Sequence, residues 1–150
     1  MEPMSCPECG TSWADGATCD EDFYQMLYWE NEDMQKNGVV HNLAVLGFYL
    51  QHPSRYSPEG LEYSKGLLLD WLERGITPQQ TRRQKRDEVD SGKRDFKITA
   101  RPGNVGAYKH PVRWQMTARD ITAAGEPRYV ESVRQWAQTI LEDLRGSGNL

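Results

Sequence analysis

Three cysteines are the residues of this chain with the greatest capacity for specific chemistry. Two lie in the segment Cys6-Pro7-Glu8-Cys9-Gly10, and the third is Cys19. The proline stiffens the turn between the first two thiols. The glycine accepts a positive φ, which lets backbone amides face a sulfur. This pattern is typical of a zinc knuckle, in which thiolates bind a tetrahedral ion.

Two other interpretations of the cysteines compete with zinc. A C-x-x-C pair also occurs in disulfide exchange, but such a pair usually begins a helix that follows a strand, and no sizeable strand fits before Cys6. The cysteines could also be inert buried thiols. Structural zinc fits their spacing best, and zinc is the expected cofactor.

A closed tetrahedral site needs a fourth ligand, and a histidine, a carboxylate or water could supply it. If the first two helices form a hairpin that turns near Asn37-Gly38, about 25 Å of rise along one is matched by about 22 Å along the other. His52 then returns to the level of Cys19, whereas His41 lies at the opposite end. The expected ligands are Cys6, Cys9, Cys19 and His52, with His110 as the alternative to His52.

His41 and the turn at residues 51–57 are further candidates for functional sites. His41 shares a helical face with Val45 and Phe48, which favours a core histidine held by an acid such as Glu30. The functional alternatives are a catalytic His41–Glu30 acid–base pair or a second metal site.

The turn itself has a structural and a functional interpretation. It could be a rigid corner in which Ser57 caps the next helix and Arg55 binds exposed carbonyls. Alternatively, Arg55 and Tyr56 could hold an anion, with Arg113 and Trp114 on the other wall.

The elements that position these residues are expected to be mainly helical. Capping patterns and prolines indicate helix starts at Thr18, Val39, Ser57, Thr77, Thr117 and Glu126. The second helix is apolar almost all round, which places it in the core. The fourth is the opposite: Val89 is its only aliphatic residue, so it must be solvated or rest on a partner.

Three of the other predicted helices carry an apolar stripe along one face. Between the fourth helix and the C-terminal helices the pattern changes to an alternation of apolar and polar residues. The stripes comprise Phe23, Met26, Leu27, Glu30 and Met34 in the first helix; Leu61, Ser64, Leu68, Trp71 and Leu72 in the third; and Val130, Val133, Trp136, Ala137, Ile140, Leu141 and Leu144 in the last. Alternation at Phe96, Ile98 and Ala100, and again at Val112, Trp114 and Met116, predicts two short strands or extended arms.

These patterns predict one mainly α domain, a helical bundle with an N-terminal zinc knuckle and a small β or irregular insertion before the last helix. The expected parts are the knuckle at 1–19, four helices over 20–91, the insertion at 92–116 and C-terminal helices over 117–146. A chain of 150 residues can bury such a core.

Composition limits the classes of function. The longest apolar run is too short for a membrane span, and the N-terminal segment lacks the bases of a secretory signal. An odd number of cysteines argues against a disulfide scaffold, so a cytoplasmic protein is expected.

Charge is distributed unevenly along the chain. Residues 1–35 hold nine acids and no Lys or Arg, whereas 82–101 hold eight bases and four acids. The basic stretch predicts a protein partner or self-association. It has too few aromatics to favour nucleic acid.

Several stretches together resemble a family of uncharacterised bacterial proteins known as a domain of unknown function. They are the Cys6-Pro7-Glu8-Cys9-Gly10 knuckle, Val40-His41-Asn42-Leu43, the corner Leu50-Gln51-His52-Pro53-Ser54-Arg55-Tyr56-Ser57, Val89-Asp90-Ser91-Gly92, and His110-Pro111-Val112-Arg113-Trp114. Tyr129, Val133 and Trp136-Ala137 in the last helix also fit. The resemblance covers nearly the whole chain and implies no activity.

The sequence therefore predicts a zinc-binding helical protein that acts as a non-catalytic binding or interaction module. The alternative is a metal-dependent enzyme, either with an open zinc position or with the His41–Glu30 pair as acid and base. The number of protein ligands on the metal separates the two hypotheses, because a closed site has four and a catalytic zinc site has three.

Overall fold

The computed structural model describes residues 4–13, 18–90 and 97–150, and the protein is mainly helical. The chain divides into two compact units. One comprises Met1–His52 and Tyr108–Leu150, and the other comprises Pro53–Ala107. Predictions that rest on Phe96 or on the side chain of Val89 lie outside what is described.

The first unit begins with a small hairpin and continues with two helices. Strands β1 (Met4–Ser5) and β2 (Ser12–Trp13) pair antiparallel. Helix α1 (Cys19–Glu32) starts at Thr18, whose Oγ1 accepts a hydrogen bond from the Glu21 N–H at 3.3 Å, as the capping pattern predicts. A 3-10 turn at Gly38–Val40 leads into α2 (His41–Leu50).

Two further helices complete this unit. Helix α5 (Ala118–Ala124) begins where the Asp120 carboxylate accepts a hydrogen bond from the Thr117 N–H at 2.8 Å. A 3-10 turn at Glu126–Arg128 precedes α6 (Tyr129–Gly146). The core that α1, α2, α5 and α6 share contains fully buried side chains from each: Met26, Phe48, Leu50, Ile121, Trp136, Ile140, Leu141 and Leu144.

The second unit begins at Pro53, within the residue 51–57 corner. A 3-10 turn at Pro53–Arg55 leads into α3 (Pro58–Leu72), and α4 (Pro78–Asp90) follows. Ser57 caps α3, because its Oγ accepts a hydrogen bond from the Gly60 N–H at 3.0 Å. The predicted reciprocal cap of α4 is also present, with Thr77 and Gln80 each bonding the other's backbone N–H.

Residues 97–106 form an irregular arm along the same corner. The Ser57 N–H donates to the Ile98 carbonyl at 2.8 Å, and the Ala100 N–H donates to the Arg55 carbonyl at 3.0 Å. Gly60 allows this approach, since a Cβ there would lie 2.2 Å from the Ile98 oxygen. In the described part of the arm only isolated bridges form, so the extended-arm interpretation fits this part better than a strand does.

Two sequence expectations about α1 and α4 can be compared with burial. Met34 is 70 % exposed and does not join the α1 stripe, because the helix ends at Glu32 and the stripe cannot continue. Arg82, Arg83 and Arg86 are exposed on α4, in agreement with a helix that contributes little to a core. Among the described residues, no helix combines the length and apolar character that a membrane span requires.

Candidate metal centre

Four elements of the first unit bring Cys6, Cys9, Cys19 and His52 together. Cys6 directly follows β1, and Cys9 lies in the turn between the strands. Cys19 is the first residue of α1, and His52 lies two residues beyond the end of α2. All four side chains are buried, and their ligand atoms lie within 4.8 Å of one another. This cluster could hold a metal ion.

The knuckle turn gives the first two sulfurs their backbone partners. The Cys9 N–H points at the Cys6 sulfur at 3.5 Å, and the Gly10 N–H donates to the Cys6 carbonyl at 2.9 Å. Gly10 has a φ of 81°, the left-handed conformation that the sequence pattern predicts. Thr11, which the pattern did not single out, places its hydroxyl 3.2 Å from the Cys9 sulfur.

His52 presents its Nε2 atom to the cysteines. Its Nδ1 lies 2.7 Å from the Phe48 carbonyl oxygen, which can only accept a hydrogen bond, so Nδ1 carries the proton. In the neutral form of this ring the lone pair is on Nε2, and Nε2 lies 3.4 Å from the Cys19 sulfur. A histidine held in this way by a backbone carbonyl is oriented for metal binding.

The electrostatics of the cluster favour a bound cation. Burial raises the pKa of the Cys19 thiol, and repulsion from Cys9 and Cys6 raises it further. Burial also raises the pKa of Cys9, although hydrogen bonds from Thr11 oppose the rise. Without a cation the thiolate forms are unfavourable here. A metal ion would compensate for the missing solvation and the mutual repulsion.

The spacing of the cluster is close to that of a tetrahedral site. Ligands at about 2.3 Å for sulfur and about 2.0 Å for nitrogen form a tetrahedron whose edges are about 3.5–3.8 Å. The Cys19–His52 separation of 3.4 Å is already near such an edge. The widest separation of 4.8 Å exceeds it by about 1 Å, which small side-chain rotations can remove.

Two contacts join the knuckle to the later part of the same unit. The Trp114 indole N–H donates to the Glu8 carbonyl at 3.0 Å. The Arg119 side chain reaches the Ser12 carbonyl at 3.3 Å while its Nε bonds the Asp22 carboxylate at 2.9 Å. Sequence reasoning missed these contacts, because nothing in local spacing links residue 8 to residue 114.

His110 does not belong to the described cluster. Its backbone N–H donates to Asn149 Oδ1 at 3.1 Å, and its carbonyl accepts from Asn149 Nδ2 at 2.9 Å. The residue is exposed. Of the two histidines expected as fourth ligand, the structure places His52 beside the cysteines.

His41 does pair with Glu30, at the other end of α1 from Cys19. Its Nδ1 lies 2.6 Å from Glu30 Oε1, while the other carboxylate oxygen accepts a hydrogen bond from the Tyr129 hydroxyl. The expectation of a core histidine is wrong, since the His41 side chain is 54 % exposed. It is the first residue of α2 and projects from the end of that helix, whereas Glu30 and Tyr129 are buried.

The residues of the expected anion site are distributed over both units. Arg55 and Tyr56 belong to the second unit, where Tyr56 is buried and its carbonyl accepts a hydrogen bond from the Gly106 N–H at 2.7 Å. Arg113 belongs to the first unit and is exposed. The described backbone contacts of the corner agree with its structural interpretation.

Comparison with known proteins is consistent with the resemblance seen in the sequence. Neither the curated proteins nor the solved structures give a significant match to this chain. A family model described as a family of unknown function (DUF5946) matches residues 4–145, which is nearly the whole chain. The chain therefore belongs to this family of unknown function.

Proposed function

We propose that the chain is a zinc protein whose Cys6, Cys9, Cys19 and His52 form a closed structural site, and that it acts as a non-catalytic binding module. One observation carries the proposal: four buried Cys and His ligand atoms converge, and the histidine presents Nε2 to the cysteines while its Nδ1 bonds a backbone carbonyl. Four protein ligands complete a tetrahedral shell and leave no position for water or substrate.

The chemistry of the ligands favours zinc over other ions. Thiolate and imidazole are poor ligands for Mg²⁺ and Ca²⁺, which require oxygen. A tetrahedral set of sulfur and nitrogen ligands suits Zn²⁺ or an iron–sulfur cluster. Three thiolates and one imidazole together are common in structural zinc sites.

X-ray absorption at the metal edge of the purified protein tests this assignment. We expect one zinc per chain, with three sulfurs at about 2.3 Å and one nitrogen at about 2.0 Å. A light-atom scatterer that replaces one sulfur, or a fifth ligand, would indicate an open site and favour an enzyme. Iron in place of zinc would reject the proposed cofactor.

The partner of the module is proposed to be an acidic macromolecule or a second copy of the chain. Arg82, Arg83 and Arg86 are exposed on α4. The acid-rich residues 1–35 of another copy offer a complementary charge. A nucleic-acid role is not favoured, since base stacking would need aromatic side chains among these arginines.

Three reduced thiols are needed for this centre, which favours a reducing compartment such as the cytoplasm. Thiol labelling of the protein in intact cells, before and after zinc chelation, tests this assignment. We expect labelling of Cys6, Cys9 and Cys19 only after chelation. Disulfides among them in the cell would contradict it.

A second candidate function depends on the His41–Glu30 pair. A buried carboxylate that holds an exposed imidazole by Nδ1 is an arrangement used in general base catalysis. Turnover of activated ester substrates that survives zinc removal and disappears in His41→Ala would favour this enzyme hypothesis. If turnover is absent from the wild type, or unchanged in His41→Ala, the binding-module proposal stands.

A further inference from the structure

A cavity of about 650 Å³ lies between the knuckle and the segment that follows residue 110. Residues 7–12 line one side, and residues 111–114 line the other, together with Thr117 and Arg119. Both walls belong to the first unit. The volume is within the range of sites that bind small ligands or a few side chains of a partner.

The apolar part of the cavity is held in place by its own contacts. The Trp114 indole N–H is anchored on the Glu8 carbonyl, and its ring packs edge-on against Tyr108 with centroids 6.0 Å apart. Pro7 and Pro111 are stiff residues on the two walls. The ring and the walls are therefore positioned before any ligand arrives, which lowers the entropy lost on binding.

The two arginines of the cavity differ in their partners. Arg119 is occupied, because it bonds the Asp22 carboxylate and the Ser12 carbonyl. Arg113 is exposed and makes no hydrogen bond or ion pair with any residue that the structure describes. A guanidinium fork of this kind matches a carboxylate bidentately.

The backbone beside Arg113 is also available. In the described part of the chain, the N–H and C=O groups of Val112 and Arg113 form no hydrogen bond. An extended peptide could pair with such groups while its side chains enter the cavity, as in strand-addition recognition.

We infer that this cavity binds a peptide segment of a partner protein, with a Glu or Asp carboxylate of that segment on Arg113. The inference depends on the proposed function, since zinc would hold the knuckle wall of the cavity in place. The peptide would belong to the protein that the proposed binding module recognises. Nucleic acid is disfavoured, because its phosphates are usually neutralised by several cationic side chains, whereas Arg113 is the one lining cation that is not already bonded to a described residue. A single carboxylate matches the single available guanidinium.

Titration of the ¹⁵N-labelled zinc-loaded chain tests the inference, with the assigned indole signal of Trp114 as the reporter. The probe is an acetylated and amidated tetraglutamate peptide, and the tetraglutamine peptide is its neutral control. We expect saturable shifts of Trp114 and of amides in residues 8–12 and 111–114 with tetraglutamate. Tetraglutamine should bind about tenfold more weakly or not at all, since it lacks the charge.

Two variants locate the contact. Arg113→Gln should weaken tetraglutamate binding about tenfold or more, whereas Arg134→Gln, which changes an exposed arginine of α6, should leave it unchanged. Equal affinity for the two peptides, shifts confined to α4, or inorganic phosphate binding as tightly as tetraglutamate would overturn the inference. Zinc content is measured on every sample, so failed binding with zinc intact rejects the peptide site alone. Absence of zinc from the wild type instead rejects the proposed function.

Discussion

The two ring nitrogens of His52 have different partners. Nδ1 donates to the Phe48 carbonyl, and Nε2 faces Cys19. The ring also packs against the Phe48 ring with centroids 4.2 Å apart. Removing the whole side chain would therefore disturb the core as well as the metal centre, and a useful variant must separate these effects.

His52→Asn is expected to lose zinc and keep its fold. The Asn amide N–H can still donate to the Phe48 carbonyl, but no atom lies where Nε2 was. Zinc affinity, measured by competition with a chromophoric chelator, should fall about a hundredfold or more. Loss of only a group that orients a ligand already costs about 10- to 100-fold.

His41→Ala and His110→Ala are the controls, because both residues lie outside the cluster. Both should retain one zinc per chain. Wild-type zinc affinity in His52→Asn would reject His52 as the fourth ligand, and zinc loss in His110→Ala would assign that role to His110.

Tyr129 makes the stability of the folded protein depend on pH in the alkaline range. Burial raises its pKa above the ordinary value of 10.0, and the Glu30 carboxylate beside its hydroxyl raises the pKa further. Above pH 10 the unfolded chain releases this proton while the folded chain retains it. The stability that Tyr129 contributes is therefore full below pH 10, and falls by about 1.4 kcal/mol per pH unit as the pH rises toward the folded pKa.

Urea unfolding of wild type and Tyr129→Phe from pH 7 to pH 11 measures this contribution. At pH 7 the variant should be less stable by about 1–3 kcal/mol, because a buried Glu30 oxygen loses its partner. The difference should narrow above pH 10. A difference that stays constant over the whole range would show that Tyr129 ionises equally in both states.

These residues differ in whether their positions and contacts could be predicted from the sequence. His52 could be predicted, because the rise per residue of two helices in a hairpin fixes its level relative to Cys19. The contact of Tyr129 with Glu30 could not, since the residues lie 99 positions apart and neither occurs in a motif. Exposure of His41 was mispredicted because its helical face was judged without knowing that it is the first residue of α2.

At the scale of elements, the knuckle has little burial to hold it. Among described residues 5–13, only Cys6, Cys9 and Thr11 are buried. Burial on this scale does not compensate for the conformational entropy of ordering the segment, and the proposed metal would supply the missing free energy. The core of α1, α2, α5 and α6 has no such need.

Cys9→Ser should therefore release the metal and free about the first 17 residues to proteolysis, while most helical circular dichroism remains. A Glu-specific protease followed by mass spectrometry detects this as new cleavage after Glu8. Trypsin could not detect the exposure of this segment, since residues 1–35 contain no Lys or Arg. Chelated wild type is the control and should show the same cleavage. Complete unfolding of Cys9→Ser would mean that the core also depends on the site.

Helix α3 offers two glycines with opposite surroundings. A Cβ on Gly60 would lie 2.2 Å from the Ile98 carbonyl oxygen, whereas a Cβ on Gly66 would meet no atom within 4 Å. Gly66→Ala should stabilise the protein by about 0.5–1 kcal/mol, which is the ordinary helix preference for Ala over Gly. Gly60→Ala should destabilise it by about 1–3 kcal/mol, because backbone must move.

Thermal unfolding of the two variants provides the comparison, since they share one helix and one substitution. Faster proteolysis of the residue 97–106 arm should accompany Gly60→Ala alone. Equal stability changes in both variants would show that the approach of Ile98 to Gly60 is not a constraint.

Helix starts could be predicted better than strands. Thr18, Ser57 and Thr77 cap their helices as the sequence indicates, because a cap is a local hydrogen bond within four residues. Strands β1 and β2 are two residues each, too short for any alternation to appear. The apparent alternation at Val112, Trp114 and Met116 belongs to irregular chain, in which the Trp114 side chain donates a hydrogen bond to the Glu8 carbonyl of the knuckle.

At the scale of the whole molecule, charge distribution suggests how copies could meet. We expect a weak dimer at low salt and a monomer at high salt in sedimentation, because attraction between Arg82, Arg83, Arg86 and an acidic surface is screened by ions. The triple Gln variant of these arginines should be monomeric throughout. Arg134→Gln, which changes an exposed arginine of α6, is the control and should behave as wild type.

A monomer at every salt concentration would end the self-association proposal. Binding to RNA or DNA in a mobility shift would replace it with the nucleic-acid role that the scarcity of aromatics disfavours.

The positions of the four ligands along the chain have a consequence for biosynthesis. Cys19 and His52 are 33 positions apart, with both helices of the hairpin between them. In an unfolded chain, closing that loop around an ion is entropically unfavourable, so early chains would hold the proposed ion by thiolates alone. A nascent chain that has not yet exposed residue 52 should exchange its metal readily. Slow exchange is expected only once α1 and α2 have formed, so retention of the proposed ion would mark the chains that have folded this part correctly.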